Sequence, residues 1–82
     1  MKICIIGTGY VGLVSGVCFA DLGNIVHCVD NNVVKINMLN QGSIPIYEPG
    51  LEEMVKRNYD DKRLFFTTNL KKTVMRCDII FI

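Results

Sequence analysis

Short unbroken apolar runs alternate along this chain with longer stretches whose apolar residues recur every three or four positions. Lys2–Ile6 is the first run, and it ends on Gly7. A continuous apolar run of that length suits a strand buried on both faces. Residues 10–22 then read as a helix closed by Gly23. Ile25–Asp30 is a second buried run. Asn31 or Asn32 can cap a helix that continues to about Gln41, with Gly42 at its end. Val33, Ile36 and Leu39 share one side of that helix at three-residue spacing.

Residues 43–48 form an extended segment around Pro45. The next helix is expected to start at Pro49, which suits a first helical position. Glu52 and Glu53 in its early turns and Lys56 and Arg57 near its end match the helix dipole. Glu52–Lys56 and Glu53–Arg57 stand at i,i+4 spacing in the favoured order. Leu64–Thr67 reads as a third strand, Asn69 as the cap of a helix over residues 70–76, and Asp78–Ile82 as a fourth strand. Strands alternating with helices predict a parallel sheet with right-handed crossovers. The expected fold is therefore α/β, a Rossmann-type doubly wound sheet in strand order 3-2-1-4, of which the chain carries the first half only.

Composition narrows the function classes. Eighty-two residues allow one small domain, and 50% hydrophobic against 21% charged residues excludes a disordered chain. A net charge of +1 gives no basic excess for nucleic acid. The longest apolar stretch, 11–20, is broken by Gly12, Ser15 and Gly16, too short for the roughly 20 residues of a membrane span. Cys4, Cys18, Cys28 and Cys77 lie in apolar segments without C-x-x-C spacing, so buried free thiols in a reducing compartment are expected rather than disulfides or a metal site. The sole histidine, His27, sits inside the second strand with no acid or cysteine pair at ligand spacing, which reads as packing.

Gly7-Thr8-Gly9-Tyr10-Val11-Gly12 is G-x-G-x-x-G between a predicted strand and a predicted helix. That context points to a dinucleotide. Gly7 allows the tight turn, Gly9 lets a pyrophosphate approach the backbone, and Gly12 lets the helix pack closely. The N–H groups of Tyr10 and Val11 would face the phosphates. Asp30 follows Gly12 by 18 residues, the place of an acid that accepts ribose hydroxyls and repels a 2′-phosphate. NAD is therefore expected over NADP. Lys35 is placed either to reach the same ribose or to balance Asp30.

The residues from Lys2 to Ala20 closely resemble the opening of the UDP-glucose/GDP-mannose dehydrogenase family, on the side of the members that act on UDP-glucose. Asp30 through Asn37 and, most distinctively, Ile44-Pro45-Ile46-Tyr47-Glu48-Pro49-Gly50-Leu51-Glu52-Glu53 are similar to the same family. The resemblance implies oxidation of the C6 alcohol of a nucleotide sugar to a carboxylate with two NAD⁺. It also implies a ribose contact for Lys35, a homo-oligomeric full-length enzyme and a cytoplasmic setting. The catalytic cysteine and its helpers lie in later parts of such enzymes, so no catalytic residue is assigned here. Residues 1–82 are expected to be the truncated N-terminal part of a dinucleotide-binding domain, inactive alone, with the nucleotide-sugar substrate held by the parts that follow. A sister enzyme for GDP-mannose and a non-catalytic nucleotide-sensing domain are the alternatives. Tyr47 and Glu48 are expected to be structural.

Overall fold

A computed structural model describes residues 1–82 as β1 (Lys2–Ile6), α1 (Tyr10–Asp21), β2 (Ile25–Val29), α2 (Val33–Asn40), α3 (Leu51–Asp60), β3 (Leu64–Thr67), α4 (Leu70–Val74) and β4 (Ile79–Phe81). The four strands form one all-parallel sheet in the order β3-β2-β1-β4. The chain moves outward from β1 to β3 and then returns past β1 to β4. Right-handed crossovers consequently set α1, α2 and α3 on one face of the sheet and α4 on the other.

Register assigns the side chains to faces. Ile3, Val26 and Leu64 lie abreast, as do Ile5, Cys28 and Phe66. These two rows meet Leu13, Val17 and Ala20 of α1, with Ile36, Leu39, Leu51 and Val55, in a single buried core. α1 lies directly on the strands because Gly16 has no side chain. A Cβ there would stand 2.8 Å from Cys28 Sγ. The opposite pleat carries Cys4, His27 and Phe65 abreast, with α4 packed on β1 and β2. Phe81 of β4 stacks on Phe19 of α1 at 5.3 Å between centroids. No helix is long and apolar enough to cross a membrane.

Four local expectations are corrected. Pro49 does not open α3. It and Gly50 form a turn closed by Leu51 N–H donating to Glu48 C=O, and Gly50 sits at φ 81°, ψ −8°. These angles are those of the third residue of a type II turn, with proline at the second. Secondly, the Glu52–Lys56 and Glu53–Arg57 pairs do not form. Arg57 instead reaches across to Asp21 at the end of α1, 2.6 Å from Oδ1. Thirdly, α4 stops at Val74, because Arg76 and Cys77 N–H groups donate to Thr73 and Val74 in tight turns that lead into β4. Fourthly, Cys18 is exposed and Cys77 half-buried, and only Cys4 and Cys28 are core residues. α1 is apolar nearly all round, so its outward side chains Val11 and Cys18, and Leu22 just past its end, are uncovered.

Candidate functional site

The carboxyl end of β1 runs straight into the glycine turn. Gly7 N–H donates to Val29 C=O at 2.7 Å, which ties the turn to the end of β2. Gly7 takes φ +99°, a conformation that a side chain disfavours. A Cβ on Gly12 would collide with the Gly7 carbonyl, so the first turn of α1 presses on the loop that precedes it. Gly9 is the N-cap, and a Cβ there would meet nothing within 4 Å. An α-helix leaves its first N–H groups without intrahelical acceptors. In α1 those belong to Tyr10, Val11 and Gly12, and neither a capping side chain nor an acidic residue in the first turn occupies them. The result is an open, uncapped cluster of donors at the positive end of a helix dipole, the arrangement that favours a phosphate.

Asp30 stands just past the end of β2, beside this turn. Its Oδ2 accepts from Thr8 N–H at 3.0 Å and from Thr8 Oγ1 at 2.7 Å, and its Oδ1 accepts from Asn32 N–H at 3.0 Å. Lys35 Nζ lies 3.9 Å from Oδ2. The Thr8 hydroxyl above all, then the Asn32 N–H, hold the Asp30 carboxyl below the usual carboxylate range. Partial burial opposes them, and the Thr8 N–H and the Lys35 charge add to the lowering. A charged carboxylate is thus fixed at the mouth of the loop at neutral pH. Lys35 enters the helix after Asp30 because Asn32 caps α2, accepting from Lys35 N–H at 3.0 Å.

Two clefts flank the turn and share Ile6 and Gly7. One, of about 570 Å³, runs from Gly9 and Gly12 to Phe19 and Phe81, between α1 and the β1–β4 side of the sheet. The other, of about 260 Å³, includes Asp30, Asn31 and Thr68. They open at the carboxyl ends of the strands, where the order turns from β2 on one side of β1 to β4 on the other. Ligands of open α/β sheets bind at such a switch point. Uncapped helix donors beside a fixed acid fit a diphosphate joined to a ribose.

The structure brings Gly7, Gly9, Tyr10, Val11 and Gly12 into one turn and sets Asp30 and Lys35 next to it. Tyr10 adds a contact that sequence reading did not supply. Its phenol donates to Glu48, which joins the distinctive Ile44–Glu53 segment to the start of α1. Tyr47 is fully exposed. Thr8 was also missed. The readable signal was a hydroxyl residue between two glycines, across from an acid. His27 stacks on Phe65 at 4.8 Å and faces no acid, and burial, with Lys2 and Arg76 nearby, pushes its imidazole below its ordinary pKa.

Comparison with known proteins decides the family. The family model described as "UDP-glucose/GDP-mannose dehydrogenase family, NAD binding domain" matches residues 1–82. The chain belongs to this family. It is 56% identical to a UDP-glucose 6-dehydrogenase of Rhizobium meliloti over all 82 residues, which are 19% of that protein. It is 54% identical to a UDP-glucose 6-dehydrogenase of Bacillus subtilis over 99% of the chain and 18% of the relative. Among solved structures, a GDP-mannose dehydrogenase from Pseudomonas aeruginosa superposes with TM-score 0.94 at 44% identity, covering 100% of this chain and 19% of that one. A UDP-glucose dehydrogenase from Pyrobaculum islandicum gives 0.92 at 40% identity, covering 99% of this chain and 19% of that one. The chain thus spans about a fifth of the length of these relatives. The cofactor of the matched family domain is NAD.

Proposed function

We propose that residues 1–82 are the N-terminal, adenosine-binding part of the NAD domain of an enzyme that oxidises UDP-glucose to UDP-glucuronate. The observation that carries this reading is the Asp30 carboxylate fixed beside an uncapped glycine turn. The curated relatives named UDP-glucose 6-dehydrogenase support the substrate. In this reading the N–H groups of Tyr10, Val11 and Gly12 hold the pyrophosphate, while Gly7 and Gly9 keep the backbone close to it. Asp30 accepts from the adenosine ribose and rejects a 2′-phosphate by charge, and Lys35 supports the same ribose. Bound NAD supplies the hydride acceptor. No residue of this chain is assigned to the reacting carbon. The nucleotide-sugar pocket and the catalytic groups belong to the remainder of a cytoplasmic, homo-oligomeric protein.

The test is a titration of NAD⁺ and NADP⁺ against the intact protein and its Asp30→Ala variant, with turnover of UDP-glucose followed as NADH. The reading requires tighter binding of NAD⁺, a preference lost in the variant, and NADH from UDP-glucose. Equal affinity for both dinucleotides, unchanged by the substitution, overturns the role of Asp30. NADH formed from UDP-glucose by the 82-residue chain alone overturns the division of labour. A GDP-mannose substrate is the second reading, favoured by the TM-score of 0.94 to a GDP-mannose dehydrogenase. Turnover of GDP-mannose but not UDP-glucose selects it.

A further inference from the structure

Thr8 is one of three variable residues of its glycine motif, and unlike Tyr10 and Val11 it is fully buried. Both of its donors are spent on a single atom. Its N–H and its hydroxyl reach Asp30 Oδ2 at 3.0 and 2.7 Å. A carboxylate oxygen offers two lone-pair positions. Thr8 therefore saturates Oδ2 by itself, and Lys35 Nζ stays at 3.9 Å from that atom. Oδ1 has one position filled by Asn32 N–H and one free. The carboxylate is thereby held from two sides in one orientation, with a single acceptor position left for a ligand. A buried hydroxyl placed on a charged acceptor is a stronger and shorter contact than one between neutral groups. Without it Asp30 keeps only backbone donors and a distant ammonium, and its side chain regains rotational freedom.

We propose that Thr8 is a positioning residue for ribose recognition: its buried hydroxyl fixes the Asp30 carboxylate so that the remaining Oδ1 position accepts an adenosine-ribose hydroxyl. This rests on the reading of the turn and Asp30 as the NAD adenosine site. It makes the second residue of the motif a determinant of affinity at a ribose it does not touch. Thr8→Val removes the hydroxyl while keeping the shape, and Thr8→Ser keeps the hydroxyl while removing a methyl.

The experiment compares NAD⁺ with its adenosine 2′-deoxy analogue, by calorimetric titration of the intact wild-type protein, T8V, T8S and D30N. Wild type is expected to prefer NAD⁺ over the analogue. In T8V, NAD⁺ binding weakens by about ten- to a hundredfold, the scale of one hydrogen bond to a charged group. Binding of the analogue stays within about twofold, so the preference collapses, and T8S retains it. Equal weakening of both ligands in T8V means that Thr8 merely supports the loop, and overturns the proposal, as does loss of the preference in T8S. Should T8V not fold, T8A carries the same comparison, and T8S decides the matter independently. If D30N leaves the wild-type preference intact, the assignment of Asp30 itself fails. If D30N abolishes the preference while T8V preserves it, only the role of Thr8 fails.

Discussion

The Tyr10 phenol donates to the Glu48 carboxylate, joining the first residue of α1 to the turn that precedes α3. The two residues stand 38 positions apart in sequence. The bond also raises the Tyr10 pKa, since the neutral phenol is the donor. Tyr10→Phe should free residues 44–50 while leaving the backbone donors of α1 in place. Faster amide exchange in that segment, with NAD⁺ affinity within about twofold of wild type, is the expected outcome. A large loss of affinity would mean that the phenol itself meets the ligand.

Gly12 and Gly16 face different obstacles, and substitutions there should separate them. Alanine at Gly12 meets the carbonyl of Gly7, which no side-chain change can move. Alanine at Gly16 meets the Cys28 thiol at 2.8 Å, which can be removed. Gly16→Ala should cost about 1–3 kcal/mol, the range of core overpacking. Cys28→Ala should recover part of that loss in the double variant, because contacting residues are non-additive. The same Cys28→Ala change should do nothing for Gly12→Ala. Urea midpoints of the three single variants and the two doubles check this, and strict additivity at position 16 would refute the packing assignment.

The four thiols should differ sharply in reactivity. Burial pushes the Cys28 thiol up to about 12. Burial first, with the Cys77 thiol as neighbour, pushes Cys4 up to about 11. The thiolate is the reactive form, so both should be inert in the folded protein. Cys18 is exposed and should give the fast phase with an aromatic disulfide reagent. Cys18→Ser should abolish that phase, and its persistence would contradict the orientation of α1.

His27 sets an expected pH dependence. Its folded pKa is depressed, first by burial and then by Lys2 and Arg76. The unfolded chain therefore takes the proton first. The contribution to stability is complete above the unfolded value of about 6.5 and is lost as pH falls through the folded one. Asp21 and Asp30 are also depressed, but as carboxylates they lose their contributions only at more acid pH, below about 4. The fall in urea midpoint between pH 7 and 5 should shrink in His27→Phe, which can keep the stack on Phe65. An unchanged fall would assign the effect elsewhere.

The sheet was legible because its strands are nearly pure apolar runs and its turns carry glycine. Lys2–Ile6 and Leu64–Thr67 match expectation to the residue, and the strand order follows from the crossover rule. Local rules failed where a distant partner outcompeted them. Arg57 prefers Asp21 to Glu53 because Asn58, fully buried, already holds the same Asp21 oxygen at 3.1 Å. Asn58 continues the apolar stripe of Leu51 and Val55, and a polar residue at that spacing was the available clue. Pro49 was misplaced because proline suits both a first helical position and the second place of a type II turn, and Gly50 decided between them. At the site, the glycine motif and Asp30 could be read from spacing alone. The Thr8 hydroxyl was marked only by its place between two glycines, since its role exists only once β1 and β2 lie side by side.

The position of β1 in the middle of the sheet also sets an order of assembly. Ile3 pairs with Val26 on one side and with Ile79 on the other, across a roughly threefold longer stretch of chain. Closing the longer loop costs about 1 kcal/mol more in chain entropy. β1, α1 and β2 can therefore nucleate as a local unit that already contains the glycine turn and Asp30. β4, which pairs with β1 across the longer loop, joins afterwards. Pulsed amide labelling during refolding should protect Cys4 and Cys28 before Ile80, and the reverse order would exclude this sequence of events. The corner that holds the glycine turn and Asp30 would then be built before the cleft beside it is closed.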